Sequence, residues 1–255
     1  MQALRTNMST RFHSAILGLV CVTLLATAPA QATTTYGDFM GDNFTYIDVK
    51  ETAVSNGDTE PLFGPPTVIG DQLRFLPTVF KSESPVATDQ SDITDGRLDF
   101  MIEAKPGKRI TDVQLFEGGA WAIVGGGAGN SAFASLAGFL FIDEIDNAAA
   151  FLPPIPFGGQ TPIFMGPGGD AWVLGDDIDL NAILANNGIT PSLGVTKVTV
   201  ALNDTLATSA NLGSTSFIDK KFFGVNVVPE PSTGAMGMLG LVMGLSMMRR
   251  RNNQS

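Results

Sequence analysis

The chain has one cysteine and one histidine in 255 residues, Cys21 and His13, and both fall in its first 32 residues. Everything from Thr33 onward therefore lacks a thiol and an imidazole. A Ser-His-Asp or Cys-His arrangement needs an imidazole base at neutral pH, and zinc sites draw on histidine nitrogen and cysteine sulfur. Serine hydrolases, thiol enzymes and zinc proteases are excluded for that part of the chain, as is any disulfide. Basic residues are scarce as well: over residues 33–228, 10 Lys plus Arg stand against 24 Asp plus Glu, a formal charge of −14. Binding a phosphate backbone relies on clustered Lys and Arg, so no nucleic acid is expected as a partner, and anionic lipid surfaces are disfavoured for the same reason. An acidic surface of this kind suits an exported protein, and would collect divalent cations loosely without a dedicated site.

Long apolar runs are confined to the two ends. At the N-terminus Arg5 and Arg11 form a basic region without acids, residues 15–28 are apolar, and Ala30-Gln31-Ala32 supplies a small-x-small cleavage site. The expectation is a signal peptide over 1–32, cut by signal peptidase after Ala32, because a cut after Ala28 would put Pro29 directly behind the scissile bond. The alternative is an uncleaved anchor, although 14 apolar residues are short for a stable span. At the C-terminus Pro229-Glu230-Pro231-Ser232-Thr233 precedes an uncharged apolar run over 234–248, and Arg249, Arg250 and Arg251 follow at once. Counted from Ser232 the run is 17 residues, the short end of what crosses a bilayer as a helix. The arginines are costly to translocate, so they stay in the cytoplasm and stop transfer, with the body outside.

Pro-Glu-Pro, one hydrophobic helix and a terminal arginine cluster, in that order, resemble the PEP-CTERM sorting signal of Gram-negative exported proteins. The resemblance implies that an exosortase, a membrane-embedded cysteine transpeptidase, recognises Pro229, Glu230 and Pro231 and removes the helix. The body would pass through an inner-membrane intermediate and be released to the cell surface or an extracellular polysaccharide matrix. The alternative is an ordinary anchor behind a proline-rich spacer. The resemblance covers 27 of the 255 residues and is silent on the body. The expected organisation is 1–32 signal peptide, 33–228 exported body, and 229–255 sorting signal, divided into motif 229–233, transmembrane helix 234–248 and basic tail 249–255.

The 196 residues of the expected body suit one domain, or at most a domain with a long insertion, able to bury about 70% of its unfolded surface and so to fold without a disulfide or metal. Short β-branched or aromatic segments bounded by Gly, Pro, Asn or Asp predict strands over 43–49, 72–80, 97–104, 110–116, 120–124, 139–142, 195–202 and 217–228. Within 97–104, Leu98, Phe100, Ile102 and Ala104 alternate with Asp99, Met101 and Glu103, the pattern of an antiparallel strand with one wet face. Val198, Val200 and Leu202 repeat it against Lys197 and Thr199. Residues 178–186 carry helical spacing, with Asp177 as the expected start cap and Gly188 as the end. The Pro- and Gly-rich stretch 143–169 reads as a long surface loop. The predicted fold class is all-β, a β-sandwich or jelly-roll with one short helix.

The candidate sites in the body are weak. The glycine-rich 125–130 lacks the Lys-Ser/Thr of a phosphate loop and reads as a turn. Asp176, Asp177 and Asp179 are low-ranking calcium candidates: an EF-hand reading fails because Ala182 replaces the required glycine, and helix capping explains the same acids. Asp143, Glu144 and Asp146 read as a solvated turn. A glycosidase would need two facing carboxylates, for which Asp99 and Glu103 with Asp112 or Glu117 are the candidates. Only Trp121, Trp172, Tyr36 and Tyr46 of the body's Trp and Tyr could stack on sugars. No catalytic or cofactor-binding residue is assigned, and no cofactor beyond loosely held calcium is expected. The leading reading is a non-enzymatic surface or matrix protein with a structural or adhesive role. The alternatives are a polysaccharide-binding module, calcium-assisted or not, and a carboxylate-dependent glycosidase.

Overall fold

Five of the strands in the computed structural model are 15 or 16 residues long, about three times the usual strand. Residues 33–54, 61–86 and 90–229 are described. Their elements are β1 Thr33–Met40, β2 Phe44–Ala53, β3 Thr67–Ile69, β4 Gln72–Phe75, β5 Lys81–Ser84, β6 Gln90–Ala104, β7 Ile110–Val124, β8 Ser131–Ile145, β9 Ala148–Ala149, β10 Ile155–Gln160, β11 Phe164–Met165, β12 Gly168–Asp179, α1 Leu180–Asn186, β13 Val195–Ala210 and β14 Thr215–Pro229.

All pairings are antiparallel. One layer runs β1-β2-β6-β13-β8, with β9, β10 and β11 on the far edge of β8; the other runs β12-β7-β14, with β4-β3 and β5 on the far side of β14. A single residue pair, Val195 with Ile110, joins β13 to β7 and links the layers. The result is a barrel- or sandwich-like sheet.

The inward residues of both layers make one core. On β6 these are Leu98, Phe100 and Ile102, on β13 Val198, Val200, Leu202 and Leu206, on β7 Val113 and Leu115, and on β14 Ile218, Phe223, Val225 and Val227. Phe63 packs edge-on against Phe75, Phe80 and Phe223, with ring centroids 5.1–5.7 Å apart where such pairs are favoured. Polar bonds tie the layers across this core. The Tyr46 hydroxyl on β2 reaches the carbonyl of Val225 on β14 (3.3 Å), and Thr208 on β13 meets Ser82 and Ser84 of β5 at 2.9 Å. Burial pushes the Tyr46 hydroxyl above its ordinary pKa, so it stays a neutral donor.

The alternation expected over 97–104 and 195–202 is present, and both strands extend well beyond it. Several expectations need correction. The stretch 143–169 is not a loop: β9, β10 and β11 pair along β8, where Gly158 holds a φ of +144 that a Cβ would resist. Residues 110–116 and 120–124 form one strand, carried through Gly118 and Gly119 because Phe222 and the Asp219 backbone occupy the space of side chains there. The predicted strand 72–80 stops at Phe75, before Pro77. Strands β1 and β12 were not anticipated. The helix begins at Leu180, and its cap is Asp179, which accepts from the Ala182 N–H at 2.9 Å, rather than Asp177. Gly188, at φ +70, follows the helix end as expected.

Candidate functional site

Strand alternation sends every second side chain of the β2-β6-β13-β8 layer outward, and the cross-strand register aligns these residues in rows. Lys50 lies opposite Asp99, Asp99 opposite Ala201, and Ala201 opposite Phe139; beside this row Thr52, Arg97, Asn203 and Ala137 form another. Phe141 lies opposite Thr199, and Thr199 opposite Met101. Shallow grooves over this face meet at Arg97. Ala137 and Ala201 give them a low floor, while Phe139 and Phe141, 51% and 37% exposed, stand at one side.

The polar groups on this face are held in place. Arg97 donates from Nε and Nη2 to the two carboxylate oxygens of Asp99, each at 2.8 Å, a fork geometry that raises the Arg97 pKa further. Lys50 donates to Asp48 at 2.9 Å. Asp48 sits at φ +53 where β2 bulges against β6, and its own N–H is bound by Asp38. The Thr199 hydroxyl donates to Asp143 at 2.7 Å. The surface is open and nearly flat, presenting fixed donors, acceptors and two aromatic faces along several strands. Such a face fits an extended ligand lying across it better than a small molecule enclosed in a cleft.

The calcium candidates do not converge. Trp172, Leu174, Asp176 and Ile178 share one side of β12, while Asp177 and Asp179 lie on the other and are exposed. Asp176 accepts from the Gly158 and Asp177 N–H groups, and Asp179 caps the helix. Among the described residues no group of three or more Asp, Glu, His or Cys is placed to hold a metal. The paired-carboxylate arrangement also fails to assemble. Strand β6, with Asp99 and Glu103, neighbours β2 and β13, not the β7 strand of Asp112 and Glu117. Glu117 is fully buried, and both oxygens of Asp99 are engaged by Arg97. Asp146, expected in a solvated turn, accepts from the N–H groups of Ser192, Leu193 and Gly194 at 2.6–2.8 Å. Ala30, Ala32, Glu230, Pro231, Arg249, Arg250, Arg251 and the apolar run 234–248 lie outside the described residues, whereas Pro229 closes β14 opposite Ile110. Among the described residues no helix is long and apolar enough to cross a membrane.

One polar cluster escaped sequence reasoning. Lys220 of β14, Asp204 of β13 and Glu117 of β7 meet in the core with no side-chain exposure. Asp204 keeps the inward parity of Val198, Val200 and Leu202, and Glu117 that of Val113 and Leu115, so both acids could have been read as core residues. Lys220 could not be found in that way. A bulge between Lys220 and Phe222 turns Lys221 outward and leaves both Lys220 and Phe223 facing in.

Residues 227–251 match the family model of the PEP-CTERM protein-sorting motif. The chain thus carries this sorting motif, which marks an exported, exosortase-processed surface protein, behind a β-rich body that the match overlaps only at the last three residues of β14. No characterised protein matches the chain in sequence. Among solved structures it is similar to TmCBM61 in complex with beta-1,4-galactotriose, at 10% identity and a TM-score of 0.20, over 78% of this chain and 89% of that one. It is similar also to the enzymatically active domain of Bacteriophage CBA120 tailspike protein 4, at 12% identity and a TM-score of 0.19, over 69% of this chain and 21% of that one. Neither likeness bears on the site.

Proposed function

We propose that this protein is a non-enzymatic surface or matrix protein with an adhesive role. Its body, a β-sandwich, holds extracellular polysaccharide on the outer face of the β2-β6-β13-β8 layer. The observation that carries the reading is the pair of exposed rings, Phe139 and Phe141, beside the fixed Arg97–Asp99 fork and the Asn203 amide on one open sheet face. Aromatic faces pack against the C–H faces of sugar rings, and fork and amide groups bond their hydroxyls. The engagement of Asp99 by Arg97 and the burial of Glu117 weigh against acid–base hydrolysis at these positions. No cofactor is part of the proposal.

Delivery precedes this role. Signal peptidase cuts after Ala32, leaving β1 whole, and exosortase reads Pro229-Glu230-Pro231 in an inner-membrane intermediate, then detaches the body from the apolar helix. Replacing Glu230 should leave the tail attached.

Affinity electrophoresis of the mature protein through gels containing extracellular polysaccharides tests the adhesive face. Retardation by at least one polymer is expected, with Phe139→Ala or Phe141→Ala weakening it about three- to tenfold, the usual worth of one aromatic contact. Both rings are exposed, so melting temperatures should hold. No retardation by any polymer, or retardation indifferent to both substitutions, overturns the assignment of this face.

A further inference from the structure

Lys220 is surrounded in a way that leaves its charge unbalanced. Its Nζ donates to Glu117 Oε2 and touches Asp204 Oδ2, and all three side chains have no exposure. The rings of Phe80, Phe63 and Phe223 close around the ammonium at 4.6, 5.4 and 5.7 Å. Fully ionised, the cluster would carry two negative charges against one positive in an apolar box. Among the described residues, Asp204 Oδ1 and Glu117 Oε1 have no hydrogen-bond partner although both are buried. Buried charges are tolerated when paired and fully hydrogen-bonded, and this cluster has one acid in excess of its single lysine and carboxylate oxygens left without a hydrogen bond.

We propose that Lys220 and Asp204 condense into an intramolecular isopeptide bond, with Glu117 as the catalytic proton carrier. The lone pair of the neutral Lys220 amine attacks Cγ of the protonated Asp204 carboxyl, forming the Nζ–Cγ bond and a tetrahedral carbon. Glu117, in contact with Nζ, takes a proton from the nitrogen and returns one to the departing oxygen, which leaves as water as the C–O bond breaks. One amine and one carboxylic acid give one amide and one water; nothing is oxidised or reduced, and Glu117 ends as it began.

Three features favour this course. The reacting groups are already in contact, so the step needs no encounter. Burial lowers the Lys220 pKa although Glu117 opposes it, which moves the amine toward the neutral nucleophile. In water, hydration of the separated ammonium and carboxylate holds amines and acids apart, and the core withdraws that hydration. The bond would tie β13 in one layer to β14 in the other, closing a loop over residues 205–219. It would give a cysteine-free exported body the covalent cross-link that a disulfide supplies elsewhere.

The test is denaturing mass spectrometry of the purified wild-type chain, which needs no variant to fold. The expected mass is lower by one water than its own termini dictate. A tryptic digest should yield a branched peptide joining Lys220 to Asp204, uncut after Lys220. Asp204→Asn should release ammonia instead and reach the same final mass as the wild type, while Glu117→Gln should slow the condensation about a hundredfold or more. A wild-type chain at full mass, with Lys220 and Asp204 recovered in separate linear peptides, overturns the proposal. A branch through Glu117 instead of Asp204 overturns the assignment of roles.

Discussion

Asp146 shows how much a single half-buried carboxylate organises here. It and Asn147, at φ +54 and +60, make the two-residue turn between β8 and β9, and its oxygens gather the N–H groups of Ser192, Leu193 and Gly194. Those bonds hold its pKa at about 2, down from an ordinary 3.8. A carboxylate depressed in the folded state contributes stability that is complete above its unfolded pKa and lost as pH falls through the folded value. Melting temperature should therefore show an Asp146-dependent drop between about pH 4 and pH 2. An Asp146→Ala chain, less stable at neutral pH, should show a smaller drop over that window, and identical profiles for the two proteins would refute this role. Glu51 plays a comparable part inside: it is 1% exposed, accepts the Tyr36 hydroxyl at 2.6 Å and receives the Leu62 and Phe63 N–H groups. Glu51→Leu should strand those donors and cost about 1–3 kcal/mol in denaturant titration. Neither role was legible, because each carboxylate serves backbone groups distant in sequence.

Strands β6 and β13 were legible because their two-residue period is clean, and β10 and β12 were not because glycine and proline conceal it. Gly158, Gly159, Gly168, Gly169 and Gly175 lower intrinsic strand preference, yet they lie where pairing with β8 and β7 admits the backbone closely. Gly119 is the sharpest instance. A Cβ there would overlap the Asp219 carbonyl oxygen at the β14 bulge, so Gly119→Val should destabilise the protein by about 2 kcal/mol or more through the β7–β14 pairing. A melting temperature unchanged by Gly119→Val would show that the bulge is placed wrongly. The same bulge explains why Lys220 was missed, since one extra residue resets the alternation on which a sequence reading depends.

The candidate face is a property of the whole molecule. Its residues come from β2, β6, β13 and β8, neighbours in the sheet but scattered from Lys50 to Asn203 along the chain, so no local motif announces them. The sorting motif over 227–251 is the reverse case: it is contiguous in the sequence, which is why it was recognisable at once. Body and signal also meet abruptly, since β14 runs to Pro229, the first residue of Pro229-Glu230-Pro231. A cut close behind that proline would free the body without removing a strand. The intact mass of the protein recovered from the native cell surface decides whether the body is released in this way. A mass beginning at Thr33 and ending close to Pro231, without the apolar run and the arginines, is the predicted result. A mass that still contains Arg249–Ser255 would contradict it and make the protein a permanently anchored domain.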